Sequence, residues 1–251
     1  MMRLVLALFV VALATPAAAQ TSRCADCHLA NAESPTVNWS AFASRHLSDW
    51  DHSPHQRANV GCEKCHGGDA TTFERFQAHQ GMLNSRNPAS PVHPANLPAT
   101  CGTCHTGPFV AFQKSHHFEL LKAGNNAVPT CSTCHGEVGA NLLSPRALQN
   151  ACATCHGPRS AQPRPERATD AGILMTGVRE VRATLDEARS LIRRVKDPAR
   201  RTALETQWQQ AEVPLIEAAQ AGHEFIFTNL RERLNTARTR AEALMVTLAN
   251  Q

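Results

Sequence analysis

All ten cysteines of this 251-residue chain lie in five copies of one motif, Cys-x-x-Cys-His. The motif is typical of c-type haem attachment, in which two thiols add to the two vinyl groups of one haem and the histidine binds its iron. The sequence therefore predicts five covalent haems c, with the motif histidines as proximal iron ligands. The motifs are Cys24, Cys27 and His28; Cys62, Cys65 and His66; Cys101, Cys104 and His105; Cys131, Cys134 and His135; and Cys152, Cys155 and His156.

Two other uses of paired cysteines are disfavoured by the pattern. A disulfide framework would not place a histidine after every second cysteine. A zinc site would need two such pairs for each metal, which leaves one of the five pairs unmatched. Every cysteine lies in a motif, so the sequence offers none as a nucleophile.

A second set of histidines could bind the opposite face of each iron. Eight histidines lie outside the motifs, more than five irons need. An internal repeat, aromatic-x-x-Ser-x-His, runs from Trp50 to His55 and again from Phe112 to His117, and it favours these two histidines over their neighbours His52 and His116. We predict distal metal ligands from this set: His55, His93, His117, His79, His46 and His223.

Two members of the set have distinct settings. His93 lies eight residues before Cys101 in a proline-rich loop, a rigid setting for a ligand. His223 is the only histidine after the last motif, and if it binds iron it clamps the C-terminal tail onto the haem-bearing region. The alternative for each candidate is an exposed histidine, or one that is hydrogen-bonded to a haem propionate.

The N-terminus has the pattern of a secretory signal peptide. A basic start at Arg3 precedes an apolar run from Leu4 to Ala14 and a small-residue cleavage site at Ala17 to Ala19, so we expect residues 1–19 to be removed. The apolar run is short for a membrane-spanning helix, and a retained anchor is the alternative. Because haem is attached outside the cytoplasmic membrane, we predict a periplasmic protein, with cell-surface display as a second possibility.

The formal charge of +4 does not indicate a basic surface for nucleic acid. Two propionates on each haem would bring a holoprotein with five bis-histidine haems to roughly −2 to −7, according to oxidation state. The expected partners are redox proteins: other cytochromes, a quinol dehydrogenase or a terminal reductase. We expect no nucleic-acid partner and no membrane span in the mature chain.

Two parts of the chain differ in composition. Residues 20–160 hold all the motifs and are rich in Gly, Pro, Asn and Ser, so haems must replace most of a side-chain core there, in a pentahaem cytochrome domain of short helices and long loops. Residues 161–251 carry helical apolar seams, for which Asp197-Pro198 marks a boundary between two helices. We predict a mainly α fold that ends in a C-terminal helical hairpin or three-helix bundle. A dimerising coiled coil is the alternative use of the seams.

The first seam contains Leu174, Val178, Val181, Leu185, Ala188, Ile192 and Val195. The second contains Leu204, Trp208, Ala211 and Leu215. The third contains Phe227, Leu230, Leu234, Ala237, Ala241, Leu244 and Leu248.

Three stretches resemble the tetrahaem cytochrome c-554-type family of ammonia oxidisers. They are the repeat element at Trp50–His55, the motif at Cys62–Gly67, and the segment Pro129–Gly136. The resemblance covers about residues 24–156 and implies an electron carrier, although this chain has five motifs where that family has four haems. The tail around His223 loosely resembles the C-terminal helices of pentahaem and octahaem relatives, which implies that a histidine at such a break can be an iron ligand.

Three functions are compatible with five haems. A carrier needs both axial positions of each iron filled, and the spare histidines are numerous enough to fill them. A reductase or oxidase of small nitrogen or sulfur compounds needs an open haem. The pentahaem nitrite reductases use a Cys-x-x-Cys-Lys motif, and hydroxylamine-oxidising relatives link a tyrosine to their active haem; this chain has neither that motif nor any tyrosine. We therefore predict an electron carrier rather than an enzyme. A subunit of an electron-conducting assembly, oligomeric through its tail, is the third possibility.

Overall fold

The computed structural model describes residues 22–30, 41–138, 142–161 and 163–250, with the side chains of residues 41–44 left out. The predicted signal peptide at residues 1–19 lies outside the described residues. Within the described ranges every regular element is a helix, which confirms the mainly α fold. None of these helices is both long and apolar enough to cross a membrane.

In the described part of the chain, ten short helices precede the tail. They are α1 (Arg23–Ala30), α2 (Ala41–Asp51), α3 (Pro54–Arg57), α4 (Glu63–His66), α5 (Arg75–Ala78), α6 (Leu97–Gly102), α7 (Thr106–Phe112), α8 (His116–Lys122), α9 (Cys131–His135) and α10 (Pro145–His156).

Few hydrophobic side chains are buried among these ten helices. In the described part of residues 22–161 they are Ala25, Leu47, Ala111, Phe112 and Leu121. Burial of a large side chain such as Leu47, Phe112 or Leu121 contributes about 1.5–3 kcal/mol and burial of an alanine less, while ordering of each residue costs about 1–2 kcal/mol, so these five side chains cannot hold the region together. Flat apolar groups between the helices would supply the missing core.

The tail has a side-chain core of its own. Three helices, α11 (Pro165–Ile192), α12 (Pro198–Gly222) and α13 (Phe227–Ala249), bury the predicted seams against one another around Leu185, Ala211 and Ala237, each 0% exposed. Trp208 donates from Nε1 to the carbonyl of Leu185 (2.8 Å). The predicted three-helix arrangement is thus confirmed, and the seams are used within the chain.

The predicted helix boundary at Asp197-Pro198 is also present. The Asp197 carboxylate accepts hydrogen bonds from the amides of Ala199 (3.2 Å) and Arg200 (3.3 Å), and Pro198 opens α12. A carboxylate in this place satisfies amide groups that the helix leaves free at its first turn.

The tail lies directly against the short helices. A Cβ atom added to Gly172 of α11 would lie 3.2 Å from the carbonyl oxygen of Pro145, so α10 and α11 touch along their backbones. Arg179 donates to the carbonyl of Leu143 (3.1 Å). Helix α12 approaches α7 at its far end, where Gln220 lies beside Gly107. The end of the tail formed by the α12–α13 junction is therefore placed next to the motifs.

Candidate haem-binding centres

The five motifs define five sites, numbered here in chain order from site 1 at Cys24 to site 5 at Cys152. Each motif lies on or at the end of a short helix, so its two cysteines are about one turn apart and its histidine closes the turn. At sites 2 and 4 a glycine follows the histidine with a positive φ, +76° at Gly67 and +71° at Gly136, and ends the helix there. This local geometry holds two thiols and one imidazole together.

Each motif histidine faces one histidine ring from elsewhere in the chain. The ring-centre separations fall in a narrow range, although the interplanar angles run from 4° to 85°. The five pairs are His28 with His79 (5.9 Å), His66 with His46 (5.9 Å), His105 with His55 (6.1 Å), His135 with His223 (6.1 Å) and His156 with His117 (6.0 Å).

This separation fits an iron between two imidazoles. Two metal–nitrogen bonds of about 2.0 Å, with about 1.1 Å from each nitrogen to its ring centre, place the centres about 6 Å apart. Direct stacking or edge contact of two rings would permit separations of about 4.5–7 Å. All five separations lie within 5.9–6.1 Å, as expected if an iron of the same coordination lay between the two rings at every site.

Four of the five non-motif histidines in these pairs, called the distal histidines below, have a hydrogen-bond partner at Nδ1. His79 faces the carbonyl of Arg75 (2.8 Å), His55 that of Val138 (3.1 Å) and His223 that of Ala219 (2.9 Å). His46 faces the Glu137 carboxylate (3.3 Å). Oxygen acceptors at these positions favour the tautomer with the proton on Nδ1, in which Nε2 carries the lone pair that can bind iron.

Site 5 differs from this pattern. The Nδ1 atoms of His117 and His156 are both buried and have no hydrogen-bond partner among the described residues. Burial lowers the pKa of His117 to about 4, with further lowering by the neighbouring His156 and His116. The His117 ring is therefore neutral near pH 7, which is the form that binds a metal.

Burial also favours the neutral form at three motif histidines. It lowers the pKa of His28, with a smaller contribution from His79, and that of His66, with His46 and His28 contributing next. The pKa of His135 is lowered in the same way, then by His223 and His105. Neutral imidazoles at these positions suit metal binding near pH 7.

The distal histidines His55 and His117 are placed by the repeated serine. Ser53 and Ser115 are 0% and 1% exposed, and each caps the helix that carries the histidine. Ser53 Oγ accepts from the amide of Gln56 (3.1 Å), and Ser115 Oγ accepts from that of Phe118 (3.1 Å). In both copies of the sequence repeat the serine caps the start of a helix. This cap fixes the position of the histidine in the first turn of that helix.

Replacing Ser53 with Ala should destabilise the protein by about 1 kcal/mol, since two bonds of Ser53 Oγ are lost: the cap bond from the Gln56 amide and the bond to the Trp50 carbonyl (2.7 Å). Thermal unfolding followed by the haem absorbance would measure this as a lower Tm. Ser48→Ala, at an exposed serine of α2, is the matched control and should leave Tm unchanged. Equal melting of both variants would contradict the capping role.

Successive sites are close neighbours in chain order. Burial raises the pKa of the Cys62 thiol to about 11, with the next contribution from Cys24 of site 1. Burial also raises the pKa of Cys65, helped by Cys101 and Cys104 of site 3. These contributions act over short range, so sites 1, 2 and 3 adjoin one another in that order.

The same relation extends to the last two sites. The neighbouring thiol of Cys131 raises the pKa of Cys101, so sites 3 and 4 adjoin each other. Burial raises the pKa of Cys134, and Cys152 of site 5 raises it further. Each site therefore lies next to the site that follows it in the sequence.

Three histidines lie outside the five pairs. His52 faces the carbonyl of Ser48 (2.8 Å), and His116 faces Glu119 (2.9 Å); both are exposed. His93, which we predicted as a ligand, accepts a hydrogen bond at Nδ1 from the Ala95 amide (3.3 Å). An Nδ1 that accepts requires the proton on Nε2, which is opposite to the tautomer favoured at the four hydrogen-bonded distal histidines.

The junction between α12 and α13 reaches two sites through consecutive residues. His223 ends α12 and pairs with His135 of site 4. Glu224 forms an ion pair with Lys114 (3.1 Å), and Asn229 and Lys114 hold the pKa of its carboxyl below the usual range. The roles of Glu224 and Phe225 were not foreseen from the sequence, because both residues find their partners more than 100 positions earlier.

Phe225 adopts a left-handed backbone conformation, with φ of +56°. Its ring meets that of His117 edge-on, 4.6 Å between centres, and that of Phe112 at 6.2 Å. A non-glycine residue in this conformation costs of order 1–3 kcal/mol and persists only where its surroundings hold it. Contact with the distal histidine of site 5 therefore helps to set the turn.

Comparison with known proteins agrees with the haem-attachment motifs. Residues 87–157, which include the motifs of sites 3, 4 and 5, match the family described as cytochrome c7 and related cytochrome c. This chain is a multihaem c-type cytochrome. Such a cytochrome holds haem c covalently through its cysteine pairs.

Two relatives of the cytochrome come from Geobacter sulfurreducens. The C-type polyheme cytochrome OmcB is 33% identical over 130 residues, 48% of this chain and 14% of OmcB. The C-type polyheme cytochrome OmcC is 31% identical over 103 residues, 38% of this chain and 12% of OmcC. The chain thus spans 14% or less of the length of these relatives. No solved structure matches the chain.

Proposed function

We propose that this cytochrome is an electron-transfer protein with five covalently bound haems c, each with two axial histidines. The motif histidines would be the proximal ligands. The distal ligands would be His79 at site 1, His46 at site 2, His55 at site 3, His223 at site 4 and His117 at site 5. The proposal omits His93, because it is not a member of any of the five ring pairs.

The observation that carries the proposal is the repeated ring separation of 5.9–6.1 Å at all five motifs. Haem c supplies an iron that gains and loses one electron at nearly constant geometry when two imidazoles hold it. With both axial positions filled by histidine, the chain leaves no open position for a substrate. This arrangement supports an electron carrier over a reductase or oxidase.

The order of the sites supports a single path. Because the thiols of each site lie near those of the next, haems held at the five sites would offer a path for electrons from site 1 to site 5 in chain order. Sites 1 and 5 would then be the points of exchange with partner proteins.

The remaining parts of the proposal follow from the sequence. The signal-peptide pattern supports a periplasmic location, with a haem-bearing domain at residues 20–160 and a helical domain at 161–251. Partners would be other cytochromes, a quinol dehydrogenase or a terminal reductase. The resemblance to the cytochrome c-554 type stays a prediction, since the matched relatives belong to other groups of multihaem cytochromes.

Low-temperature EPR of the ferric holoprotein, together with its intact mass, tests the proposal. We expect a mass equal to the mature chain plus five haems, and only low-spin signals that integrate to five irons. His66 and His46 are nearly perpendicular (85°), whereas His135 and His223 are nearly parallel (4°), so the low-spin signals should differ in anisotropy. A high-spin signal that responds to nitrite or hydroxylamine would instead support an enzyme with one open haem.

A further inference from the structure

Site 5 is the one pair in which both axial histidines have a buried Nδ1 without a partner in the described part of the chain. At the other four sites the distal Nδ1 faces an oxygen, from Arg75, Val138, Ala219 or Glu137. A hydrogen bond from Nδ1 to an acceptor makes the imidazole a more basic ligand, which stabilises ferric over ferrous iron. Site 5 has no such stabilisation from either of these two rings.

Apolar contacts take the place of that hydrogen bond. The ring of Phe225 meets His117 edge-on at 4.6 Å, and Phe225 and Phe118 both pack edge-on against Phe112, at 6.2 Å and 5.6 Å. Phe112 is buried, at 7% exposed. These rings orient His117 while offering its Nδ1 no acceptor, and they separate it from solvent.

We propose that site 5 has the highest reduction potential of the five sites and is the electron-accepting end of the path, with Phe225 as the positioning residue that maintains it. This inference rests on the proposed electron-transfer function. With haem bound, each transfer into site 5 would move one electron from the ferrous iron of site 4 to the ferric iron of site 5, so that the iron of site 4 would become ferric and that of site 5 ferrous. A one-electron donor protein at the site 1 end would restore the reduced state upstream.

The location of site 5 fits this role. It is last in the chain order of sites, and its motif lies at the end of α10, which packs along α11 of the tail. Phe225 directly follows the residue pair His223 and Glu224, so the same turn that reaches site 4 also holds the distal histidine of site 5. The α12–α13 junction thus contacts both members of the last transfer step.

Stepwise reduction of the ferric holoprotein, followed by NMR, tests the order of the sites. The haem signals of site 5 would be assigned through their contacts with the ring protons of His117 and His156, the two histidines that would hold that haem. We expect these signals to convert to the ferrous form before those of any other haem. Earlier conversion of another haem would overturn the inference, whereas fewer than five low-spin signals in the starting ferric protein would overturn the proposed function.

Three variants at the junction test the part assigned to Phe225. In Phe225→Leu the loss of the ring edge should admit water to Nδ1 of His117, lower the potential of site 5 and change the g values of one EPR signal. Phe225→Tyr keeps the ring and should restore both properties. Phe227→Leu, the matched control, removes a ring that packs on the tail core and under Arg167, and should change neither.

The outcomes of this series are distinct. A Phe225→Leu protein with unchanged reduction order and unchanged EPR would exclude Phe225 as a positioning residue. If that variant does not accumulate, the NMR titration of the unaltered protein still decides whether site 5 is reduced first.

Discussion

Replacing His223 with Ala should convert one of five low-spin haems to a high-spin form and loosen the tail from the haem-bearing region. His223 is paired with His135 at 6.1 Å and has its Nδ1 against the Ala219 carbonyl, so the change removes an oriented ligand and opens one axial position. EPR of the ferric protein and carbon monoxide binding by the ferrous protein measure the open position.

The loosening of the tail has its own measurement. The ion pair between Lys114 and Glu224 and the contact of Phe225 with His117 flank the lost ligand and are each weaker than a metal bond. Limited proteolysis should therefore cut the His223→Ala variant faster near the α12–α13 junction than the unaltered protein.

Two matched variants sharpen the assignment. His116→Ala removes an exposed histidine bonded to Glu119, and His93→Ala removes the predicted ligand that the ring pairs leave out. Both should keep five low-spin signals. A high-spin signal in His93→Ala, or an unaltered spectrum in His223→Ala, would mean that the axial pairs are assigned incorrectly.

In a chain without haem, residues 22–161 should lose their ordered structure, while the three tail helices should remain folded. Only five hydrophobic side chains are buried in the described part of residues 22–161, whereas seventeen buried residues form the core of α11, α12 and α13. Serine in place of all ten cysteines prevents attachment. Far-UV circular dichroism should then show helix content close to that of residues 165–249 alone.

Protease digestion of the same haem-free chain locates the boundary. We expect one resistant fragment that begins between residues 157 and 165 and extends to the end of α13. The complementary variant is Leu185→Asp, which places a charge at a fully buried position of the tail core and should unfold the tail while four haems keep both axial histidines. A haem-free chain that resists protease over its whole length would show that side chains alone hold the motifs.

Much of the tail could be predicted from the sequence because its interactions are periodic and local. The seam positions Leu185 and Ile192 are buried as their spacing indicated, and Asp197 caps α12 where Asp-Pro suggested a start. The structure adds contacts that the spacing of apolar residues does not predict, such as the hydrogen bond that Trp208 donates to the Leu185 carbonyl.

The histidines that face a motif could be predicted from the sequence only in part. The repeat favoured His55 and His117 over their neighbours, and these two rings are the ones that face motif histidines. The favoured position of His93 rested on a rigid loop near Cys101, but rigidity carries no information about which way a ring points. In this loop the Nδ1 of His93 accepts a hydrogen bond from the nearby backbone amide of Ala95.

The sequence by itself determined the chemistry of each haem site: two thiols and one imidazole within five residues, a set that short-range geometry brings together in any fold. Only the tertiary structure decided which histidine faces each motif across about 6 Å. His79 pairs back to site 1, His55 passes over site 2 to reach site 3, and His223 returns from the tail to site 4. The distal side of a haem must be approached from a separate segment, and the position of that segment depends on the packing of the whole chain.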